Sequence, residues 1–597
     1  MIRNSLLILF LSGVFTVSAL AQTADSPWLY GIHWYLKTDS LSVGAATDVE
    51  SMTGGKGVWV LEITHVDASK APAWDQPGYF VGHCQKVVTG KGHSMIFRVQ
   101  PYWSRNVPHS SDPYTLANYA ADAQAAANTL KDYCHIWAIG NEVNLDGENM
   151  RYNSSTGNYD TSWQPTPQQY ADAYVAVRDA IHNVTPNTTP ARQICLMQPV
   201  SPGNIISGTR FMDGNEFLWR QIDAVADKSK IDGFALHSYA EPGGANYGVD
   251  GFFEALREQI MIIDQFGLGD RPIYITEWNK HMPNSTEAQI GAKFLHRALT
   301  ALNDWNTGSG GEWAGQPNHN IVGTTWFVYP KDFGWDEYAL QYWKSQIAST
   351  DKELNPWYSF LYACGLNYAK GVAGTGPTVP QSAIWWEDDF NGTAGAAPDT
   401  ASPAPDWKVE TTGSGSASLS GDGALRLLGN SSVNGGAGIR TAGYAYGNFR
   451  LAADITFTNA ARSSTSVSEA NADIRIREGS KGYSLTFFTT PSPTNSGRII
   501  LRRTNDWTQI GSYNVAVTGG INSGDSFHLE IVADGSDIAY KVYKNGGTTP
   551  VVDWNVSDSG QKVGWVRLMT YNLQEARINK VVMAGPQYTN VRDWVLY

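Results

Sequence analysis

The chain has 597 residues and a formal net charge of −13; that length exceeds one compact core, so two domains are expected. The acidic balance excludes nucleic acid and anionic lipid surfaces as natural partners. Its 22 Trp and 29 Tyr supply flat amphipathic rings of the kind that stack on sugar faces, so the composition leans towards a carbohydrate ligand.

The chain opens with Arg3, an apolar stretch over 6–17, and Ala19-Leu20-Ala21 before Gln22. This reads as a secretory signal peptide over residues 1–21, too short for a membrane span, and predicts an extracellular or periplasmic protein. Residues 22–365 alternate short apolar runs with helical stretches. The runs at 30–35, 58–63, 95–100, 136–142, 193–198, 233–239, 272–278 and 321–328 are eight candidate strands, the number that closes a parallel (β/α)8 TIM barrel. Asp112-Pro113 is expected to cap a helix over 114–131, and Thr166-Pro167 one over 168–182. Asn284 with Glu287 three residues on predicts a helix over 288–305. The loops after strands three, four and eight are rich in Trp and Tyr and are expected to wall a cleft.

Composition turns to Gly, Thr and Pro in a linker placed at 366–384. From 385 to 597 the helical period is lost and short alternating runs predict an all-β antiparallel sandwich. Cys84, Cys134, Cys195 and Cys364 match no zinc spacing. An exported protein can carry disulfides; three pairings are open, and buried free thiols fit equally well.

Two apolar runs stop at a carboxylate: Ile136-Trp137-Ala138-Ile139-Gly140-Asn141-Glu142 and Pro272-Ile273-Tyr274-Ile275-Thr276-Glu277. A charge at the C-terminal end of a barrel strand lies where barrel enzymes do chemistry. Two such carboxylates are what glycosidic cleavage requires: one acid to protonate the leaving oxygen, one nucleophile or base on the far side. No serine elbow, phosphate loop or HExxH helix competes. His65 and Asp67 lack a marked third ligand, so no metal or cofactor is expected.

At Asn141-Glu142-Val143-Asn144-Leu145 and Thr276-Glu277-Trp278-Asn279 the chain resembles clan A of the retaining (β/α)8-barrel glycoside hydrolases. Locally it is most similar to family 39 and slightly less so to family 51; Val143 departs from the proline that family 39 carries there. The resemblance implies Glu142 as acid/base and Glu277 as nucleophile, with Asn141 at a sugar 2-hydroxyl. It also implies Tyr239 hydrogen-bonded to the nucleophile, His237 lining the cleft, and Trp326 as the floor of the subsite. Alternation within 95–100 sends Arg98 inward, where it pairs with either Glu277 or Glu62. His33 and Trp34, at the end of strand one, are further cleft residues.

Segment 385–390 resembles the opening strand of concanavalin- or laminin-G-like domains, which implies either a glycan-binding module or a shield for the barrel. The substrate expected is a β-linked polysaccharide or oligosaccharide, attacked from within the chain. The alternatives are an exo-acting xylosidase- or arabinofuranosidase-like enzyme and a non-catalytic carbohydrate-binding protein on a decayed barrel.

Overall fold

The computed structural model describes residues 25–34, 49–85, 92–153, 155–156, 158–160, 163–203, 210–240, 245–308, 321–331, 334–371, 384–398, 406–429, 435–463, 469–491 and 494–587. The expected signal peptide and most of the expected linker fall outside the described residues. Eight parallel strands close a barrel in chain order: β1 (Gly31–His33), β2 (Trp59–His65), β3 (Ser94–Gln100), β4 (Cys134–Ile139), β5 (Ile194–Met197), β6 (Gly233–Tyr239), β7 (Ile273–Asn279) and β8 (Ile321–Trp326). Ile32 on β1 lies opposite Trp326 on β8 and completes the ring.

The strands are buried on both faces, which is why they read as nearly continuous apolar runs. Alternation divides each strand between two cores. Trp59, Leu61, Ile96, Ile136 and Ala138 pack together inside the ring. Val60, Phe97 and Trp137 join the apolar faces of the helices in a larger cluster. Between strands run α1 (Pro77–Cys84), α2 (Leu116–Leu130), α3 (Pro167–Ile181), α4 (Gly214–Ala224), α5 (Val249–Gln265) and α6 (Ser285–Thr307). Thr166 caps α3 with Gln169, and Asn284 caps α6 by accepting from Thr286 and Glu287. The cap of α2 is Thr115 with Asn118, not Asp112-Pro113. Asp112 is drawn away by Arg105, 3.4 Å off, and by the Tyr159 hydroxyl, so the helix starts later than proline spacing predicts.

β7 carries one irregularity with large effect. Leu236 and His237 are consecutive on β6 but face Ile275 and Glu277; on the other flank Thr324 and Trp326 face Ile275 and Trp278. β7 therefore holds one extra residue at Thr276 relative to both neighbours. This bulge turns Glu277 to the inner side and Trp278 outward, onto Trp326 and Phe294.

The C-terminal part forms two antiparallel sheets of eight and seven strands. Their facing residues, such as Leu451 and Ile455 from one and Ile474 and Leu485 from the other, share one core. The sandwich packs on α4 and α5. Lys562 and Val563 donate backbone N–H to Glu216 Oε2 at 2.8 and 3.1 Å, and Trp565 Nε1 donates to Glu258 Oε1 at 2.6 Å. Arg440 pairs with Glu254 at 2.5 Å, and Gln561 and Ser480 donate to Asp213 Oδ2. Ala445 and Val563 of the sandwich belong to the barrel's larger core cluster. At Gly447 any Cβ would stand 2.1 Å from the Trp219 ring, so only glycine lets the two surfaces close. Cys84, Cys134, Cys195 and Cys364 are all buried free thiols.

Candidate active site

The two strand-end glutamates meet. Past β4 the backbone turns through the left-handed region twice, at Gly140 (φ +84°) and at Glu142 itself (φ +37°). A non-glycine residue held there is strained, and such strain persists only where surroundings fix it. Here the Asn106 side chain accepts from Asn141 N, Pro199 O accepts from Glu142 N, and Gln198 Oε1 accepts from Val143 N. The result aims the Glu142 carboxylate across the barrel rim at Glu277.

One hydroxyl joins the pair. Tyr239 Oη lies 3.1 Å from Glu277 Oε2 and 3.4 Å from Glu142 Oε1. The two carboxylate oxygens are therefore no farther apart than those legs together, 6.5 Å. Burial and the two glutamates hold the tyrosine's pKa well above its usual value, so its proton stays available to donate, first to the nearer Glu277.

Glu277 is a buried anion beside Arg98, His237 and His33. Arg98 Nη2 donates to its Oε1, so Arg98 is paired with Glu277. His237 Nδ1 lies 3.8 Å from Oε2 and His33 Nδ1 4.0 Å from Oε1. Burial alone would raise its pKa; His237, Arg98 and His33 outweigh that and hold it at about 2. His33 is itself pushed down to about 3 by burial and by Arg98, so it is neutral at neutral pH and Arg98 is the permanent cation.

The pair opens on a cavity of about 390 Å³, within the size range of small-ligand sites. Asn141, His33 and Arg98 line it as expected. Asn141 Oδ1 is buried there without a hydrogen-bond partner. Three expected lining residues lie elsewhere. Trp326 is fully buried against Trp278 and Phe294, and its indole donates to Tyr338 O. Its neighbour Phe327 lines the cavity instead. Trp34 packs on Tyr329 and His93 in the helix layer. His237 sits behind the wall, its Nδ1 2.7 Å from Glu142 Oε1, and steadies that carboxylate without touching the open volume.

Other lining residues carry weak sequence signals. Trp103 is fixed by donating to Asp75, which also meets His65 at 2.5 Å. Trp335, Tyr338 and Phe327 form a ring cluster on the β8 side. Trp335 is 46% exposed, so an aromatic face stands open at the rim. The loop aromatics Tyr152, Tyr159 and Trp163 do not line the cavity. Tyr159 instead takes a hydrogen bond from Arg105 at 2.8 Å and ties the loops after β3 and β4 together. Asn279 is set by donating to Phe327 O. Glu148, in a short 3-10 turn after β4, is a third carboxylate facing the cavity, and nothing in the local pattern marks it.

No protein-family model and no curated protein matches the chain. Among solved structures it is similar to a protein of unknown function with a galectin-like fold from Bacillus subtilis, at 10% identity and TM-score 0.26, covering 34% of this chain and 97% of that one. It is also similar to the exoplasmic/lumenal domain of VIP36 in a Ca2+/Man2-bound form, at 10% identity and TM-score 0.23, covering 35% and 89%. A third is a xylan beta-1,4-xylosidase from Bacillus halodurans C-125, at 12% identity and TM-score 0.23, covering 35% and 41%. Likenesses this slight carry no weight for activity or residue roles.

Proposed function

We propose that the protein is a secreted retaining glycoside hydrolase that cleaves a β-linked polysaccharide within its chain. The observation that carries this reading is the Glu142–Glu277 pair, reached by one tyrosine hydroxyl at the edge of an open cavity. Retaining glycosidases place their carboxyls about 5–5.5 Å apart, whereas inverting ones leave about 6.5–9.5 Å for a water. The 6.5 Å bound on the facing pair of oxygens supports the closer, retaining arrangement.

Glu277, ionised and oriented by Arg98 and Tyr239, attacks the anomeric carbon. Glu142 gives its proton to the departing glycosidic oxygen, and the bond from that oxygen to the anomeric carbon breaks. In the second step Glu142 takes a proton from water as its oxygen attacks the same carbon, and Glu277 leaves as carboxylate. As Glu277 loses its negative charge to the new bond in the first step and Glu142 becomes a carboxylate, the Tyr239 hydroxyl is free to turn its hydrogen bond towards Glu142. Asn141 Oδ1, buried and unpartnered, is placed to accept from a sugar hydroxyl. The open rings at the rim, Trp335 and Trp103, support binding of a chain longer than one sugar.

The test is proton NMR of fresh product from a panel of aryl glycosides and polysaccharides, read before mutarotation. Retention of the anomeric configuration is expected, with oligosaccharides as early products from polymer. Initial formation of the opposite anomer overturns the mechanism; release of single sugars alone overturns the internal cleavage.

A further inference from the structure

Glu148 has no part in the two displacements, yet it faces the cavity. It is not on a loose loop: Asn106 Nδ2 donates to its carbonyl at 2.7 Å, and Asn149 Nδ2 ties the same turn to Val143 O and Leu145 O beside Glu142. Its carboxyl takes a hydrogen bond from the Asn141 amide, and among the described residues no cation pairs with it. Among the described residues that line the cavity, the one permanent cation, Arg98, is engaged by Glu277. His33 is held neutral, and His281 at the rim is engaged by Glu337. Three carboxylates thus share a cavity with one arginine.

We propose that Glu148 is a specificity residue: its carboxyl, steadied by the Asn141 amide, hydrogen-bonds a hydroxyl of an uncharged sugar and keeps a uronate carboxylate out of the same position. The inference rests on the glycosidase reading above. A uronate would add its charge to a part-buried site that already holds the Glu277 anion and, above about pH 7, the Glu148 anion, where like charges are weakly screened. A neutral sugar hydroxyl meets no such penalty and finds a group able both to donate and to accept while it keeps its proton. Burial, then the charge of Glu142, push the Glu148 pKa up to about 7; Glu277 adds to this, and Arg98 only partly offsets it. Below that pH the carboxyl is protonated and can serve as a donor; above it a further negative charge appears beside the ionised Glu277 and turns a uronate away.

The experiment is steady-state kinetics of the full-length protein and of Glu148→Gln and Glu148→Ala, with folding checked by circular dichroism. The substrates are matched aryl glycosides, one neutral and one the corresponding uronide, between pH 5 and 9. For wild type the uronide kcat/KM is expected at least about 100-fold below the neutral one, and the neutral kcat/KM should fall above about pH 7. Glu148→Ala should raise KM for the neutral glycoside about tenfold, and Glu148→Gln, which still donates and accepts, about threefold, with kcat moving less in both. In Glu148→Gln the decline above pH 7 should vanish, and above pH 7, where the wild-type Glu148 is charged, the uronide discrimination should shrink about tenfold. If wild type cleaves glycosides and these variants keep its KM, pH profile and discrimination, this inference alone falls. If wild type prefers the uronide, it falls too. If folded wild type cleaves no glycoside on the panel, the glycosidase reading falls and takes this one with it.

Discussion

At the mouth of the barrel, Glu142, Glu148 and Glu277 border open volume. On the flank, Asp213, Glu216 and Glu258 are at least as deeply buried but border the sandwich. Both groups have raised members: burial and Glu142 bring Glu148 to about 7, burial and Asp213 bring Glu216 to about 7, and burial and Glu254 do the same for Glu258. What separates them is where their lone pairs go. In the flank every named carboxylate ends on donors of the sandwich, including two backbone N–H groups and an indole. At the mouth only Glu277 is saturated by protein, and Glu148 keeps capacity for something else. A buried carboxylate with a perturbed pKa therefore does not mark chemistry by itself; unspent hydrogen-bonding capacity beside a cavity does.

The largest effect that sharpens this contrast is at Glu277. Glu277→Gln should reduce turnover by roughly 10⁴-fold, since a carboxamide forms no glycosyl-enzyme. It should also cost about 3 kcal/mol of stability, because Arg98 is left buried without its counter-charge. Glu142→Ala should lose comparable turnover with little loss of stability, and azide should restore part of it. Paired kinetics and denaturant melts separate the two; equal stability losses would break the distinction between a saturated and an unsaturated carboxylate.

Next in size is removal of the sandwich. A chain ending at Lys370 exposes Trp219 and Met261 and strips the barrel's core cluster of Ala445 and Val563. Loss of several kcal/mol and aggregation near ambient temperature are expected, measured by light scattering during a thermal ramp. A stable, fully active truncated barrel would assign the flank no more than a tethering part. Gly447→Val is a milder probe: the new side chain must displace Trp219 at an estimated cost of about 1–3 kcal/mol, while kcat on small soluble substrates should stay unchanged.

The last effect is a gradual one, on pH dependence. Glu216 and Glu258 have folded pKa values raised above the usual 4.5 to about 7. The folded state thus binds more protons than the unfolded one between those values. Their contribution is fully present below about pH 4.5 and is lost progressively as pH rises to 7. Melting temperature should fall from pH 5 to pH 7.5, and Glu258→Gln should flatten that slope whatever it does to the baseline. Glu277 has the opposite sign, but its window lies between about 2 and 4.5, below this range.

The barrel was legible because parallel strands buried on both faces cannot hide their apolar runs. The segment at 233–239 matches β6 at both ends, and 272–278 differs from β7 by one residue at each end. Thr166 and Asn284 were readable as caps because their side chains bond only to their own helices. Asp112 misled because its carboxylate serves Arg105 and Tyr159, partners remote in sequence. Trp326 was placed in the cleft by the family resemblance and Trp34 by its position at a strand end, and neither fixes the side chain's direction. Glu148 escaped because its loop is oriented by Asn106 from a different strand's loop. Glu216 and Glu258 look like ordinary surface residues of amphipathic helices until a second domain covers them.

The extra residue in β7 makes the aim of the nucleophile a property of one break in register. Were the same residues to run as a regular strand, Thr276 would hold the inward position, Glu277 would point out into the helix layer and Trp278 would turn inward. Deleting Thr276 removes the bulge but leaves Glu277 directly after Ile275, so the glutamate keeps its inward side and Trp278 its outward one. What the site depends on is that the strand breaks at this point: a change that flattened the bulge with every side chain conserved would turn the nucleophile away from the cavity.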